Sequence, residues 1–245
     1  MRSILRSAAV VSIAIAWAPP AYAGPPFMTD DPTPTAPGHY EIYLFGNATT
    51  TSGGVSGEAG IDFNSGAARD LQITAVVPMN YERFNGGKID TGIGNIEIAA
   101  KFRFLHQETA GWNVAVFPRL TLPAASRLGD DHASLLIPVW VGRDWENWST
   151  FGGGGCAINR GGNSQDYCIA GWAITHRIAP RLQLGAEIFH AAPDTKDGSA
   201  STILGFGTVY DVNEQVSLLG YAGAGLENTA ETGGLTLYAS ALFAF

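Results

Sequence analysis

Cysteine and charge are both scarce in this chain. Of 245 residues, 2 are cysteine and 15% are charged, against roughly 25% charged in an ordinary soluble domain. So little cysteine excludes a disulfide-built miniature scaffold. Lysine and arginine number 14 against 22 acidic residues, a formal charge of −8, which argues against nucleic acid as a partner, since the phosphate backbone demands concentrated positive charge. Long apolar runs are missing as well: beyond residues 8–18, no stretch of about 18 apolar residues offers a membrane-spanning helix. Glycine, by contrast, is plentiful at 31 residues and lacks the G-X-Y period of collagen. Aromatic and β-branched residues are too common for a disordered chain. An enzyme-sized soluble domain or a membrane β-barrel remains.

Residues 1–23 have the layout of a secretory signal peptide. Arg2 and Arg6 precede a mostly apolar stretch, Ala8 to Ala18, and Ala21-Tyr22-Ala23 is a small-x-small cleavage site. The apolar stretch is too short to be an anchor. Cleavage after Ala23 would leave 12 basic and 22 acidic residues, a charge of −10, on an exported chain of 222 residues.

Alternation with period two runs through the rest. Ile96, Ile98, Ala100, Phe102 and Phe104 form one face, with Asn95, Glu97, Ala99, Lys101 and Arg103 on the other, the signature of a strand with one apolar and one polar side. Leu235, Leu237, Ala239, Ala241, Phe243 and Phe245 repeat the design against Thr236, Tyr238 and Ser240. About twelve such segments begin near His39, Ser56, Asp70, Gly94, Gly111, Ser134, Trp148, Tyr167, Arg181, Ser201, Gln215 and Leu235. An even count of segments near ten residues long fits a closed, all-β antiparallel transmembrane barrel over residues 39–245. Pro118 and Pro138 should interrupt their strands, because proline cannot donate to the ladder.

With the N-terminus on the periplasmic side, outward connections should be long and inward ones short. The expected outer connections are Thr49–Val55, Asn80–Gly92, Leu122–Ala133, Cys156–Asp166, Ala191–Ala200 and Leu226–Gly234. The inner ones are Asn64–Ala68, His106 to Thr109 or Ala110, Asp144–Asn147, Ala179-Pro180 and Asp211–Glu214. Charges facing lipid are costly, so the polar face belongs in the lumen. Glu41, Asn95, Glu97, Lys101, Arg103, Arg119, Arg181 and Glu187 are the lumen-lining candidates, either lining a solute path or filling a narrow barrel with ion pairs.

The chain ends Leu242-Phe243-Ala244-Phe245. Phe243 and Phe245 resemble the final-strand signal read by the barrel-assembly machinery, which is an expected partner along with outer-membrane lipids. The segment Gly24-Pro25-Pro26-Phe27-Met28-Thr29-Asp30-Asp31-Pro32-Thr33-Pro34, followed by Gly38-His39-Tyr40-Glu41, resembles the mature start of the family named for the MetA pathway of phenol degradation. Thr91-Gly92-Ile93-Gly94-Asn95 running into Lys101-Phe102-Arg103-Phe104 resembles its second motif, with Asn95 where aspartate is common. The resemblance implies an outer-membrane barrel with a role in transport linked to aromatic-compound breakdown.

Five prolines keep residues 24–38 extended. Asp30 and Asp31 could cap a turn, hold a cation or meet arginines at the periplasmic mouth; the sharper expectation is that this segment enters the lumen as a plug. Cys156 and Cys168 flank one outer loop and are expected to pair in an oxidising compartment. No metal or cofactor is expected: the histidines His39, His106, His132, His176 and His190 are scattered, with no H-E-x-x-H, G-x-S-x-G or P-loop. Asp130-Asp131-His132 reads as a solvated loop before it reads as a calcium or hydrolase site. Gly152 to Gly155 permits sharp curvature, and the tryptophans at 112, 140, 145, 148 and 172 fit interfacial girdles or core packing. The function expected is a non-enzymatic channel for small, aromatic or hydrophobic solutes. A lipid- or acyl-modifying enzyme and a non-transporting structural barrel are the alternatives, and the oligomeric state is open.

Overall fold

The structure, a computed structural model, describes residues 26–84, 86–124 and 126–245; the expected signal peptide lies outside them. The strands are β1 (Tyr40–Thr51), β2 (Gly54–Ala68), β3 (Leu71–Phe84), β4 (Asp90–Ile93), β5 (Ile96–Leu105), β6 (Asn113–Val116) and β7 (Arg119–Leu122). They continue with β8 (Ser134–Trp145), β9 (Trp148–Ile158), β10 (Tyr167–Ala179), β11 (Leu182–Ala191), β12 (Ser201–Asp211), β13 (Val216–Gly225) and β14 (Leu235–Ala244). All pair antiparallel, and β1 closes on β14 from Glu41 opposite Ala244 to Thr50 opposite Leu235. Segments β4 and β5 both pair with β3, while β6 and β7 both lie between β5 and β8. Each couple is one interrupted stave, so the closed barrel has 12 staves, as the alternation predicts.

The interruptions have local causes. Pro118 supplies no N–H, and the fifth stave breaks at Phe117-Pro118, yet Phe117 N still donates to Pro138 O (3.0 Å) and Pro118 O still accepts from Ala100 N (3.1 Å). Pro138, expected to break its strand, instead stays inside β8 opposite Gly155. The fourth stave breaks at Gly94-Asn95.

Faces follow the period-two pattern. Ile98 is 47% exposed on the outer surface while its neighbour but two, Lys101, is 2% exposed inside. The outer belt carries Leu44, Ile61, Ile73, Ile96, Phe102, Ile174, Ile188, Leu204, Phe206 and Leu237, an inverted globule that suits lipid outside and polar groups within. Trp145, Trp148 and Trp172 lie on this outer surface, whereas Trp140 is fully buried in the lumen. Arg143 rests over the rings of Trp112 and Trp145 near the short-turn rim.

β1 begins and β14 ends at one rim, with the connections at 69–70, 146–147, 180–181 and 212–215. Asp70 takes a left-handed φ of 63° that lets the first of these close in two residues. The opposite rim carries 86–89, 123–124 with 126–133, 159–166, 192–200 and 226–234. Two connections depart from the expected rhythm. The first outer one shrinks to Ser52-Gly53, because β1 and β2 pair out to Thr51–Gly54. The inner one after β5 runs from 106 to 112 around the short helix α1 (Gln107–Ala110).

Candidate functional site

Residues 26–37 run through the lumen. Glu187, on β11 and 2% exposed, accepts hydrogen bonds from Met28 N (3.0 Å) and Thr29 N (2.9 Å). On the far wall Gln72 of β3 accepts from Thr35 N (2.8 Å) and Thr35 Oγ1 (3.1 Å), while its own Nε2 donates to Asn64 Oδ1 (2.7 Å). Between them Asp30 meets Lys101 Nζ of β5 at 2.9 Å. Phe117 lies 4.9 Å from the same ammonium. Asp31 closes a local turn by accepting from Thr33 N (2.6 Å). The two carboxylates thus divide the roles expected of them: one turns the chain, and the other pairs with a lumen cation, a lysine rather than an arginine.

Glycines clear the track. A Cβ placed on Gly142 would lie 2.8 Å from Pro32 Cδ, one on Gly185 2.6 Å from Phe27 Cζ, and one on Gly207 2.8 Å from both Phe27 and Pro26. Phe27 meets Phe151 edge-on at 6.0 Å and Tyr221 at 6.2 Å. The segment therefore touches β3, β5, β8, β9, β11, β12 and β13, which together encircle much of the barrel, and it divides the lumen.

A cavity of about 230 Å³ on the short-turn side is lined by Asp31, Thr33, Arg143, Asp144, Ser149 and Arg177. A larger one of about 800 Å³ touches Asn47, Glu58, Tyr81, Tyr221 and Tyr238. Beside it, Arg119 clamps Glu97, with Nε 3.0 Å from each carboxylate oxygen and Nη2 2.9 Å from Oε1. Asn47 Nδ2 donates to Glu58 Oε1 (3.1 Å) and Asn64 Nδ2 to Asp62 Oδ1 (2.9 Å). Ion pairs fill part of the lumen and leave these spaces open.

The remaining candidates fall in different places. Glu41 is buried in the lumen and accepts from Tyr43 Oη (3.1 Å). Arg103 sits at the short-turn rim, gripping Asp70 at 2.8 Å beside His106 at 2.9 Å. Desolvation pushes Asp70 up, but the hydrogen bonds from His106 and Arg103 outweigh it and hold the carboxyl below its usual range. Asn95 anchors the outer loop, its Oδ1 accepting from Asp130 N (2.9 Å) and Ala124 N (3.3 Å). Arg181 does not line the lumen: it stands exposed in the 180–181 turn, where β10 has already ended, and donates to Val212 O at 3.4 Å. Alternation extrapolated one residue past the strand produced that expectation. Cys156 and Cys168 face each other across β9 and β10 and are joined by a disulfide. Phe243 pairs with Ile42 and Val216, and Phe245 exchanges backbone hydrogen bonds with Tyr40.

Two histidine clusters occupy the loop-bearing rim. His132 lies 2.8 Å from both Asp131 Oδ1 and Asn159 Oδ1, tying the 123–133 loop to the 159–166 loop. His190 Nδ1 contacts Thr202 Oγ1 at 2.8 Å, and Thr202 donates to Glu227. The threonine's single proton goes to the glutamate, so His190 donates to the hydroxyl and is not placed as its base. This cluster pins the last outer loop.

The family model described as "Putative MetA-pathway of phenol degradation" matches residues 42–243. The chain belongs to that family. Among solved structures, the COG4313 outer membrane channel from Pseudomonas putida F1 is similar at 13% identity and a TM-score of 0.67, covering 88% of this chain and 98% of that one. The NanC porin is similar at 9% identity and a TM-score of 0.58, with 82% and 98% covered. Both likenesses show that this chain shares the barrel fold of those two outer-membrane proteins. No curated protein matched the chain.

Sequence reasoning missed Gln72, Phe27, Phe151 and Tyr221, whose roles depend on contacts between distant strands. One signal was available. Gly142, Gly171, Gly185 and Gly207 recur at inward positions of β8, β10, β11 and β12, where a narrow barrel without an occupant would be filled by side chains.

Proposed function

We propose that the protein is an outer-membrane channel for small, aromatic or hydrophobic solutes, exported by cleavage after Ala23 and closed at rest by its own residues 26–37. The observation that carries this reading is the segment itself, hydrogen-bonded to opposite walls with a cavity on either side. A barrel serving only as a scaffold has no need for a polar, extended strand across its middle. Three tyrosines line the larger cavity, and tyrosine combines an apolar body with a polar tip. Family membership and the channel named among its structural relatives agree with transport, and the family description accords with aromatic solutes. The terminal Phe243 and Phe245 would present the last strand to the assembly machinery, and the apolar belt would face the membrane lipids.

Liposome swelling tests the reading. Vesicles containing the folded protein should admit benzyl alcohol faster than a disaccharide. No permeation by any small solute, from either the intact protein or one lacking residues 24–37, would refute it.

A further inference from the structure

The two cavities share part of their lining. Leu184, Gly207 and Thr208 border both the space on the short-turn side and the space on the loop side. What stands at this shared wall is Pro26 and Phe27, packed on Gly207. Elsewhere the segment is tied down by hydrogen bonds and an ion pair, at Met28, Thr29, Asp30 and Thr35. The Phe27 side chain is held by packing alone, so its ring can leave without breaking those ties.

The place it would vacate has the shape of a ring. Gly185 and Gly207 give a floor without side chains, each close enough that a Cβ would press on the Phe27 ring at 2.6 and 2.8 Å. Phe151 and Tyr221 form the sides, both in the edge-to-face arrangement that aromatic pairs prefer, with interplanar angles of 64° and 88°. Glu187 lies next to Tyr221 and to the backbone of Met28 and Thr29, so a carboxylate-bearing ligand would meet a like charge.

We propose that this cradle is a binding subsite for a neutral, single-ring aromatic solute, and that Phe27 is its resident occupant and the gate of the channel. A solute ring entering from the larger cavity takes over the contacts with Phe151 and Tyr221 as Phe27 swings toward the smaller one. Passage then needs only the Phe27 ring to move, while the Glu187, Lys101 and Gln72 ties persist. The proposal rests on the channel reading above and adds to it where the ring binds and which side chain yields.

Single-channel recording in planar bilayers tests it, using benzyl alcohol and its saturated twin cyclohexylmethanol as probes. Each aromatic pair is worth about 0.5–1.5 kcal/mol beyond burial, so losing two should raise the open probability of Phe27→Ala about tenfold or more. Phe27→Leu, which keeps apolar bulk without a ring, should fall between. Benzyl alcohol should interrupt the Phe27→Ala current reversibly, cyclohexylmethanol should not, and adding Gly207→Leu to fill the cradle should abolish the interruption. Equal response to both probes, or a block that survives Gly207→Leu, would overturn the subsite. An unchanged open probability in both Phe27 variants, while deletion of residues 24–37 does open the barrel, would overturn the gate and leave the channel reading standing.

Discussion

Replacing Lys101 by methionine keeps the length of the side chain and removes the cation that Asp30 grips at 2.9 Å. Lys101 is 2% exposed and the Asp30 side chain 16% exposed, so the pair is desolvated and poorly screened by salt. Asp31 and Glu41 lie near the same ammonium, and the substitution leaves three carboxylates facing one another. Breaking a buried pair by removing one partner costs about 3–5 kcal/mol. The residual access of Asp30 argues for the low end, and about 3 kcal/mol corresponds to roughly a 150-fold shift in the balance between seated and released segment. Bilayer recordings should show Lys101→Met spending far more time open than the parent. The double substitution Asp30→Asn with Lys101→Met should recover part of the closure, because it removes the stranded charge along with its partner. A folded Lys101→Met protein whose open probability stays within about twofold of the parent would refute the reasoning, since an effect of the size above could not be hidden there.

Three other outcomes follow from the same physics. Phe206→Arg places a charge on the lipid face of β12, where Phe206 is 62% exposed, and should cost about 2–4 kcal/mol in denaturant unfolding in bilayers; no change would contradict the assignment of that face. Cys156→Ser opens the disulfide between residues 12 apart and should destabilise the outer end of β9 and β10 by about 2–3 kcal/mol, read as faster hydrogen exchange there. The hydrogen bonds to Asp131 and Asn159 raise the pKa of His132 above the ordinary imidazole value of 6.5. Its contribution to loop order is therefore complete below pH 6.5 and is lost as pH rises through the raised value. Exchange of amides in the 123–133 loop should accelerate across that window in the parent and show no such step in His132→Asn.

How much of this was legible in the sequence depends on the range of the interaction. Ile96 to Phe104 reveals its two faces because lipid and lumen sort side chains residue by residue, with no need to know what lies opposite. Pro118 marked a break for an equally local reason. Pro138 did not break its strand, because its carbonyl accepts from Phe117 N and the N–H it lacks would face that same side, where the neighbouring stave is itself interrupted at Phe117-Pro118. Arg181 was misplaced because a turn begins at Pro180 and period two ends there. Entry of residues 26–37 into the lumen was expected from the prolines and paired aspartates, but the contacts that hold the segment were not. Glu187 is 158 residues from Thr29 and Lys101 is 71 from Asp30, and only closure of the barrel brings them together.

The most direct test of the central claim is the conductance of the folded protein with residues 24–37 deleted. If that segment closes the lumen, the deletion should give a persistently open channel whose ohmic current greatly exceeds that of the intact protein. A conductance indistinguishable from the intact protein would mean that the segment crossing the lumen is not what closes it.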